Sequence, residues 1–229
     1  MSQDLERLYR HRFDPQELRH KDRIWAVLCR DHFQRHVGPG DTVLDLACGS
    51  GEFINHIRAG TRIGVDLRAE SREALEPGVR FVQTPATDLG AIPEASVDLA
   101  FTSNFLEHLA TKDDLLTVLG ELRRVLRPGG RVLIMGPNIR YVPGAYWDFF
   151  DHHLPLTEAS VAEALALAGL RVDSALARFL PFSTKSRLPQ APWLVALYLR
   201  VPLVWRLLGQ QFLVQASRPG EGDAGGPGA

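Results

Sequence analysis

The sequence predicts an α/β protein built on a doubly wound, mostly parallel sheet, with an N-terminal helix and C-terminal cap segments. Two observations carry this reading. Short apolar runs alternate with stretches of helical periodicity between residues 42 and 135, and no hairpin signal separates them. The runs also end in residues suited to a ligand: Asp45, Asp66, Ser103 and Gly136 all fall at predicted strand ends. In open parallel sheets ligands bind beyond the carboxyl ends of the strands, where the strand order reverses. The fold class alone therefore gathers these residues on one rim.

Each element has its own justification. Leu18, Ile24, Trp25, Leu28 and Phe33 recur at helical spacing across residues 15–37, and Gly38-Pro39-Gly40 stops that helix. "VLDLACGSGEF", running from Val43 to Phe53, is a strand followed by a glycine-rich turn. Residues 52–58 read as a helix closed by Gly60. Residues 62–66, 79–83 and 97–103 read as strands two to four, followed by a helix over 112–126. Pro128-Gly129-Gly130 makes a turn, and 131–135 a fifth strand.

Beyond this point the order loosens. Residues 137–155 form a long aromatic-rich connection, and 157–167 a helix N-capped by Thr157 with Ser160 following. Strands at 171–175 and 211–214 bracket an apolar stretch over 189–208. The chain thus divides into an N-terminal helical lid (1–40), a ligand-binding catalytic domain (41–216) and a glycine- and proline-rich disordered tail (217–229). Within the domain, 137–156 and 178–209 serve as substrate and cap segments. Tyr9, Arg12 and Phe13 are placed to close over the ligand, or simply to end a solvated helix.

Composition narrows the class. At 229 residues with 45% hydrophobic side chains, one globular domain with a sizeable core is expected. A net charge of −1 gives no electrostatic case for nucleic acid. Two cysteines, Cys29 and Cys48, supply neither a disulfide framework nor a zinc site, so a reducing cytoplasm is the expected location. The first fourteen residues are dense in charge without an apolar core, and no secretory signal is expected there.

Which ligand the glycine loop takes follows from what it lacks. A dinucleotide fingerprint needs a third glycine, and Ile54 stands there. Asp45, just before the loop, would also repel a pyrophosphate. A zwitterion suits the arrangement better: amides can receive a carboxylate, while an acid at the strand end suits a cation. S-adenosyl-L-methionine carries both, with an adenosine whose ribose hydroxyls Asp66 is spaced to accept.

These stretches, with "GVDL", "VDLAFTSNFLEHL" and "LRRVLRPGGRVLIMGPN", resemble in order the successive motifs of class I S-adenosylmethionine-dependent methyltransferases, whose sheet is Rossmann-like. The resemblance covers residues 42–138. It implies that Gly49 and Gly51, with Asp45 and Ala47, form the methionine-binding turn. It further implies that Asp66 and Leu67 border the ribose, and that Ser103 and Asn104 line the cofactor at the fourth strand. The family's acidic contact to the adenine falls at Pro85 here, so the Ala86 backbone and Asp88 are the expected substitutes. More softly, "GPNIRYVPGAYWDFFDHHLPLT" resembles methyltransferases of bacterial glycan and secondary-metabolite gene clusters.

A hydroxyl acceptor needs a base, and histidine is the usual choice near neutral pH. His152, His153 and His108 are the candidates, with His152 first by a narrow margin. His108 can alternatively cap a helix start or pair with Glu107. A related Glu-x-x-Glu-His pattern binds metal in some quinone-pathway methyltransferases, but Asn104 replaces its first glutamate, and no metal is expected. The expected activity is O-methylation of a small-molecule or glycan-precursor acceptor. Methylation of an amine, and a non-catalytic cofactor-binding subunit, are the alternatives. Residues 193–208 are too short to span a bilayer and contain Arg200, Pro202 and Arg206. A lid, a dimer contact and a peripheral membrane contact all remain open for them.

Overall fold

The computed structural model describes residues 15–181 and 191–220. Helix α1 (Pro15–Asp31) leads into strands β1 (Thr42–Leu46), β2 (Thr61–Asp66), β3 (Val79–Gln83) and β4 (Val97–Ser103). Then come α2 (Lys112–Val125), β5 (Leu126–Pro137), α3 (Glu158–Leu167) and β6 (Arg171–Leu176). Two short helices, α4 (Pro192–Leu199) and α5 (Pro202–Leu208), precede β7 (Gln211–Ser217). The seven strands pair in the order β3-β2-β1-β4-β5-β7-β6. β1 to β5 run parallel, and β7 is antiparallel to both β5 and β6. The strand order reverses between β1 and β4.

Period-two alternation along the central strands feeds a separate core on each face. Leu44, Leu46, Ala100, Val132 and Ile134 pack beneath α2 and α3, against Leu115, Leu119, Leu122, Val161 and Leu165. Val43, Leu99, Phe101, Leu133 and Met135 point the other way, to Trp25, Leu28 and Phe33 of the N-terminal region and to Phe53, Phe179 and Trp205. Rings dominate that second core: Phe53 stacks on Phe101 with centroids 3.9 Å apart, and Phe33 meets Phe101 at 5.1 Å.

Both helices on the first face begin with reciprocal caps. Thr111 and Asp114 form a capping box for α2, and Thr157 and Ser160 form one for α3, the latter at the residue the sequence indicated.

Three expectations are corrected. Residues 52–58 do not form a helix: 52–56 are a run of turns, and 57–58 are irregular. Hydrogen bonds there mix four-residue and three-residue spacings (Asn55 N to Gly51 O, His56 N to Phe53 O). The Asn55 side chain is drawn off to Ala74 O and Glu76 N, which ties the segment sideways to the next loop. The N-terminal helix ends at Asp31, and His32 turns the chain into a 3-10 segment, Phe33–His36. Finally, β5 starts at Leu126 and absorbs Pro128-Gly129-Gly130 through a register shift against β4. Gly130 is needed there, because a Cβ would lie 2.8 Å from Arg127 O and 2.9 Å from Val97 O. Tyr9, Arg12, Phe13 and residues 221–229 lie outside the described residues.

Candidate active site

The loop leaving β1 is built from left-handed backbone. Ala47 has φ 58°, Gly49 φ 53° and Gly51 φ 78°. At the end of the adjacent β4, Asn104 has φ 49°. Non-glycine residues held in this region cost about 1–3 kcal/mol each and gather at functional sites. Two of them flank the point where the strand order reverses. Gly51 is crowded as well as left-handed: a Cβ would sit 2.7 Å from both Asn55 Nδ2 and Leu75 Cδ2, and those side chains would have to shift. Gly49 has no such crowding; only Glu52 Oε2 comes near, at 3.8 Å.

The acids converge on this loop. Asp66 is buried at the end of β2, where its Oδ2 accepts from Gly49 N at 2.8 Å and its Oδ1 from Arg68 N at 2.9 Å. Asp45 is buried one strand over. Desolvation pushes its pKa well above the usual carboxylate range, and the nearby Glu52 and Asp66 add to this. A cation placed beside these acids would draw Asp45 back toward its charged form. Helix α1 braces the loop: Lys21 Nζ meets Glu52 Oε1 at 2.6 Å, and Asp22 Oδ1 meets His56 Nε2 at 2.7 Å.

On the far side, Leu67 is 46% exposed beside Asp66. Ala86 is half-buried and packs against the core. Asp88 is exposed, and its Oδ1 accepts from Gly90 N at 2.9 Å, so its carboxylate closes a local turn. Ser103 is half-buried at the end of β4, and the neighbouring Asn104 is exposed, its backbone N–H donating to Met135 O at 2.9 Å.

The turn after β4 and the long loop after β5 meet over this rim. His153 N and Leu154 N both donate to Glu107 O, at 2.7 and 3.1 Å, which docks one segment on the other. Tyr146, fully buried, donates its hydroxyl to Leu154 O. The result brings His108 and His152 together with ring centroids 4.9 Å apart. His152 is buried, stacked on Phe149 at 4.9 Å and tilted against Tyr146 at 4.5 Å. His153, by contrast, is exposed.

His108 Nδ1 lies 3.0 Å from Asp151 O and 3.3 Å from Asp151 Oδ2. Burial opposes protonation of His108. The hydrogen bond to Asp151, with the Glu107 and Asp151 carboxylates nearby, outweighs it and holds the imidazole above its ordinary pKa. Glu107 is itself buried, and desolvation pushes its carboxyl up to about 7. Glu107, His108 and His152 each bring one donor atom within 4.8 Å of the others, a spacing a divalent ion could use. Asp151 as the partner of His108 was not legible beforehand, because 43 residues separate them. The only signal was an Asp-His-His run within an aromatic loop.

Residues 44–134 match the family model described as "Methyltransferase domain". Among relatives, the chain is 32% identical over 163 residues to the demethylmenaquinone methyltransferase of Symbiobacterium thermophilum, covering 64% of each. It is 30% identical over 183 residues to the trans-aconitate 2-methyltransferase of Azoarcus sp. (strain BH72), covering 76% of this chain and 63% of that one. An S-adenosylmethionine-dependent methyltransferase structure from Archaeoglobus fulgidus superposes with a TM-score of 0.62 at 20% identity, over 86% of this chain and 94% of that one, and shows the shared fold. Sheet order, glycine loop and these matches agree on one class: residues 44–134 carry a methyltransferase domain, similar to that of class I S-adenosylmethionine-dependent methyltransferases, whose methyl donor is S-adenosyl-L-methionine. The chain spans 36% to 64% of the length of the first curated relatives it matches.

Proposed function

We propose that the protein transfers the methyl group of S-adenosyl-L-methionine to an oxygen of a small-molecule or glycan-precursor acceptor, with His108 as general base. The observation that carries this reading is the bond from His108 Nδ1 to Asp151, 3.0 Å to the carbonyl and 3.3 Å to the carboxylate. That partner assigns the Nδ1 proton by the hydrogen-bond network, and leaves Nε2 as a proton acceptor. In the reaction an acceptor oxygen attacks the methyl carbon as the carbon–sulfur bond breaks. The hydroxyl proton passes to His108 Nε2, and S-adenosylhomocysteine leaves.

Asp45, Ala47, Gly49, Gly51, Asp66, Leu67, Ala86, Asp88, Ser103 and Asn104 are the proposed cofactor contacts. Asp45 and Asp66 supply acceptors for the ammonium and the ribose. Asp88 is the weakest member, since its carboxylate is engaged with Gly90. The Phe149 ring and the buried His152 support a wall that excludes water from the attack. Relatives named for demethylmenaquinone and trans-aconitate support a small acceptor. His152 led the sequence reading; the Asp151 contact favours His108, and the exposure of His153 disfavours that residue.

The test is methyl transfer from labelled donor into an extract of candidate acceptors, followed by mass spectrometry of the labelled product. An O-methyl product whose formation falls about 100- to 10,000-fold in His108→Ala, at unchanged cofactor affinity, is expected. An N- or C-methyl product would overturn the choice of oxygen.

A further inference from the structure

One surface has no place in the reaction described above. Trp193 and Leu197, one helical turn apart on α4, are 67% and 53% exposed. On α5, Leu203 and Leu207 repeat the spacing at 70% and 73%. Each helix buries a different residue to hold it down: Leu199 on α4 and Trp205 on α5, the latter inside the aromatic core. The large apolar side chains facing outward are therefore not core residues left partly uncovered.

The described charges on the helical pair are of one sign. Along the sequence no Asp or Glu occurs from residue 174 to residue 220, in a chain whose net charge is −1. Arg200 and Arg206 are exposed within the helical pair itself. Arg30 of α1 and Arg200 flank Trp193 and Leu197 across a groove of about 410 Å³. Asp31, the acid at this edge, is already held by Arg30 at 2.6 Å, with Arg200 close enough to favour its charged form.

We infer that α4 and α5, through their outward apolar side chains with Arg200 and Arg206, form a docking surface for a membrane bearing anionic lipid. Leu and Trp side chains on one surface with arginines among them are the composition of an interfacial helix, whose apolar residues enter the headgroup region while the cations meet phosphates. Trp193 is a suitable anchor, since its ring favours the boundary between headgroup and chain. Among the described residues no helix is long and apolar enough to cross a membrane, so the contact is peripheral. A symmetric dimer through the same face would gather Arg200 and Arg206 of both copies in one interface, with no acid from 174–220 to offset them. An anionic bilayer supplies the missing charge. The surface is independent of His108, so it stands or falls apart from the proposed chemistry.

The experiment is flotation of the full chain with two vesicle types: phosphatidylcholine alone, and phosphatidylcholine mixed with phosphatidylglycerol. Binding is expected to the mixed vesicles and not to the neutral ones, and to weaken as salt is raised. Leu203→Gln/Leu207→Gln and Arg200→Glu/Arg206→Glu should each lower binding by at least about tenfold. Both should keep wild-type affinity for S-adenosylmethionine by calorimetry, which reports that the domain is folded. Equal binding to both vesicles, or none to either, overturns the inference. So does a dimer by analytical ultracentrifugation that Leu203→Gln/Leu207→Gln abolishes while vesicle binding stays absent; that result would assign the face to self-association.

Discussion

The backbone amide of Gly49 donates to Oδ2 of Asp66 at 2.8 Å, so the glycine loop after β1 and the acid that ends β2 are one hydrogen-bonded unit. Removing the acid does two things at once: it takes away the acceptors proposed for the ribose, and it releases the loop amide. Asp66→Ala is expected to weaken S-adenosylmethionine binding by about 1.5–3 kcal/mol, the range for hydrogen bonds to a charged group. Calorimetry reads this directly, and unchanged affinity would remove Asp66 from the site.

Gly51→Val should be more damaging than Gly49→Ala. At Gly51 a side chain meets Asn55 and Leu75 at 2.7 Å, on backbone of φ 78° that a β-branched residue resists. At Gly49 only the backbone conformation objects. Comparing cofactor affinity and melting temperature of the two variants checks the order.

Phe101→Ala should cost about 3–5 kcal/mol in urea unfolding, because the side chain is fully buried and leaves a cavity among rings. Phe53, which follows the glycine loop, stacks on it at 3.9 Å. Cofactor affinity should therefore fall as well. A stability loss with wild-type affinity would mean that the loop is held by other contacts.

Stability should decline with acid through a buried histidine. His32 lies in the aromatic core, where burial, then the charges of Arg35 and His36, lower its pKa from 6.5 to about 3. Above pH 6.5 it is neutral in both folded and unfolded chains and adds no slope. Between pH 6.5 and about 3 the unfolded chain takes up a proton that the folded one does not, so stability falls as pH falls. His32→Phe should flatten that decline in denaturant titrations run across the same window. An unchanged slope would locate the acid sensitivity elsewhere.

Chelation should leave methyl transfer intact. His108 Nδ1 is engaged with Asp151, and Glu107, with a pKa near 7, carries only part of a charge at neutrality. If activity lost to a chelator returned with magnesium or zinc, then Glu107, His108 and His152 would be metal ligands and the base would have to be sought elsewhere.

Local pattern carried most of the fold. The bounds of β3 and β4 and the Thr157 cap were readable because they depend on adjacent residues: apolar runs, and a hydroxyl three places before a serine. Residues 52–58 misled because seven residues of helical composition are decided by neighbours, here by Asn55 reaching to residues 74 and 76. The residues proposed for the cofactor rim stand at strand ends, which the sequence marks. The contact between His108 and Asp151 is not marked there. His108 follows β4 and Asp151 lies well beyond β5, and only the adjacency of those strands, with Glu107 O capturing two amides of the later loop, brings them together. The pairing of His108 with Asp151 is thus a property of topology.

The most direct test of the account is the pH dependence of methyl transfer in wild type and Asp151→Asn. A base must be neutral to act, so activity should rise with pH through the His108 pKa. In wild type that midpoint should lie above the ordinary histidine value of about 6.5. Asp151→Asn removes the carboxylate that helps hold the proton on. Its midpoint should move down while the plateau rate drops and cofactor affinity stays unchanged. A flat profile, or an Asp151→Asn midpoint identical to wild type, would contradict a His108–Asp151 base.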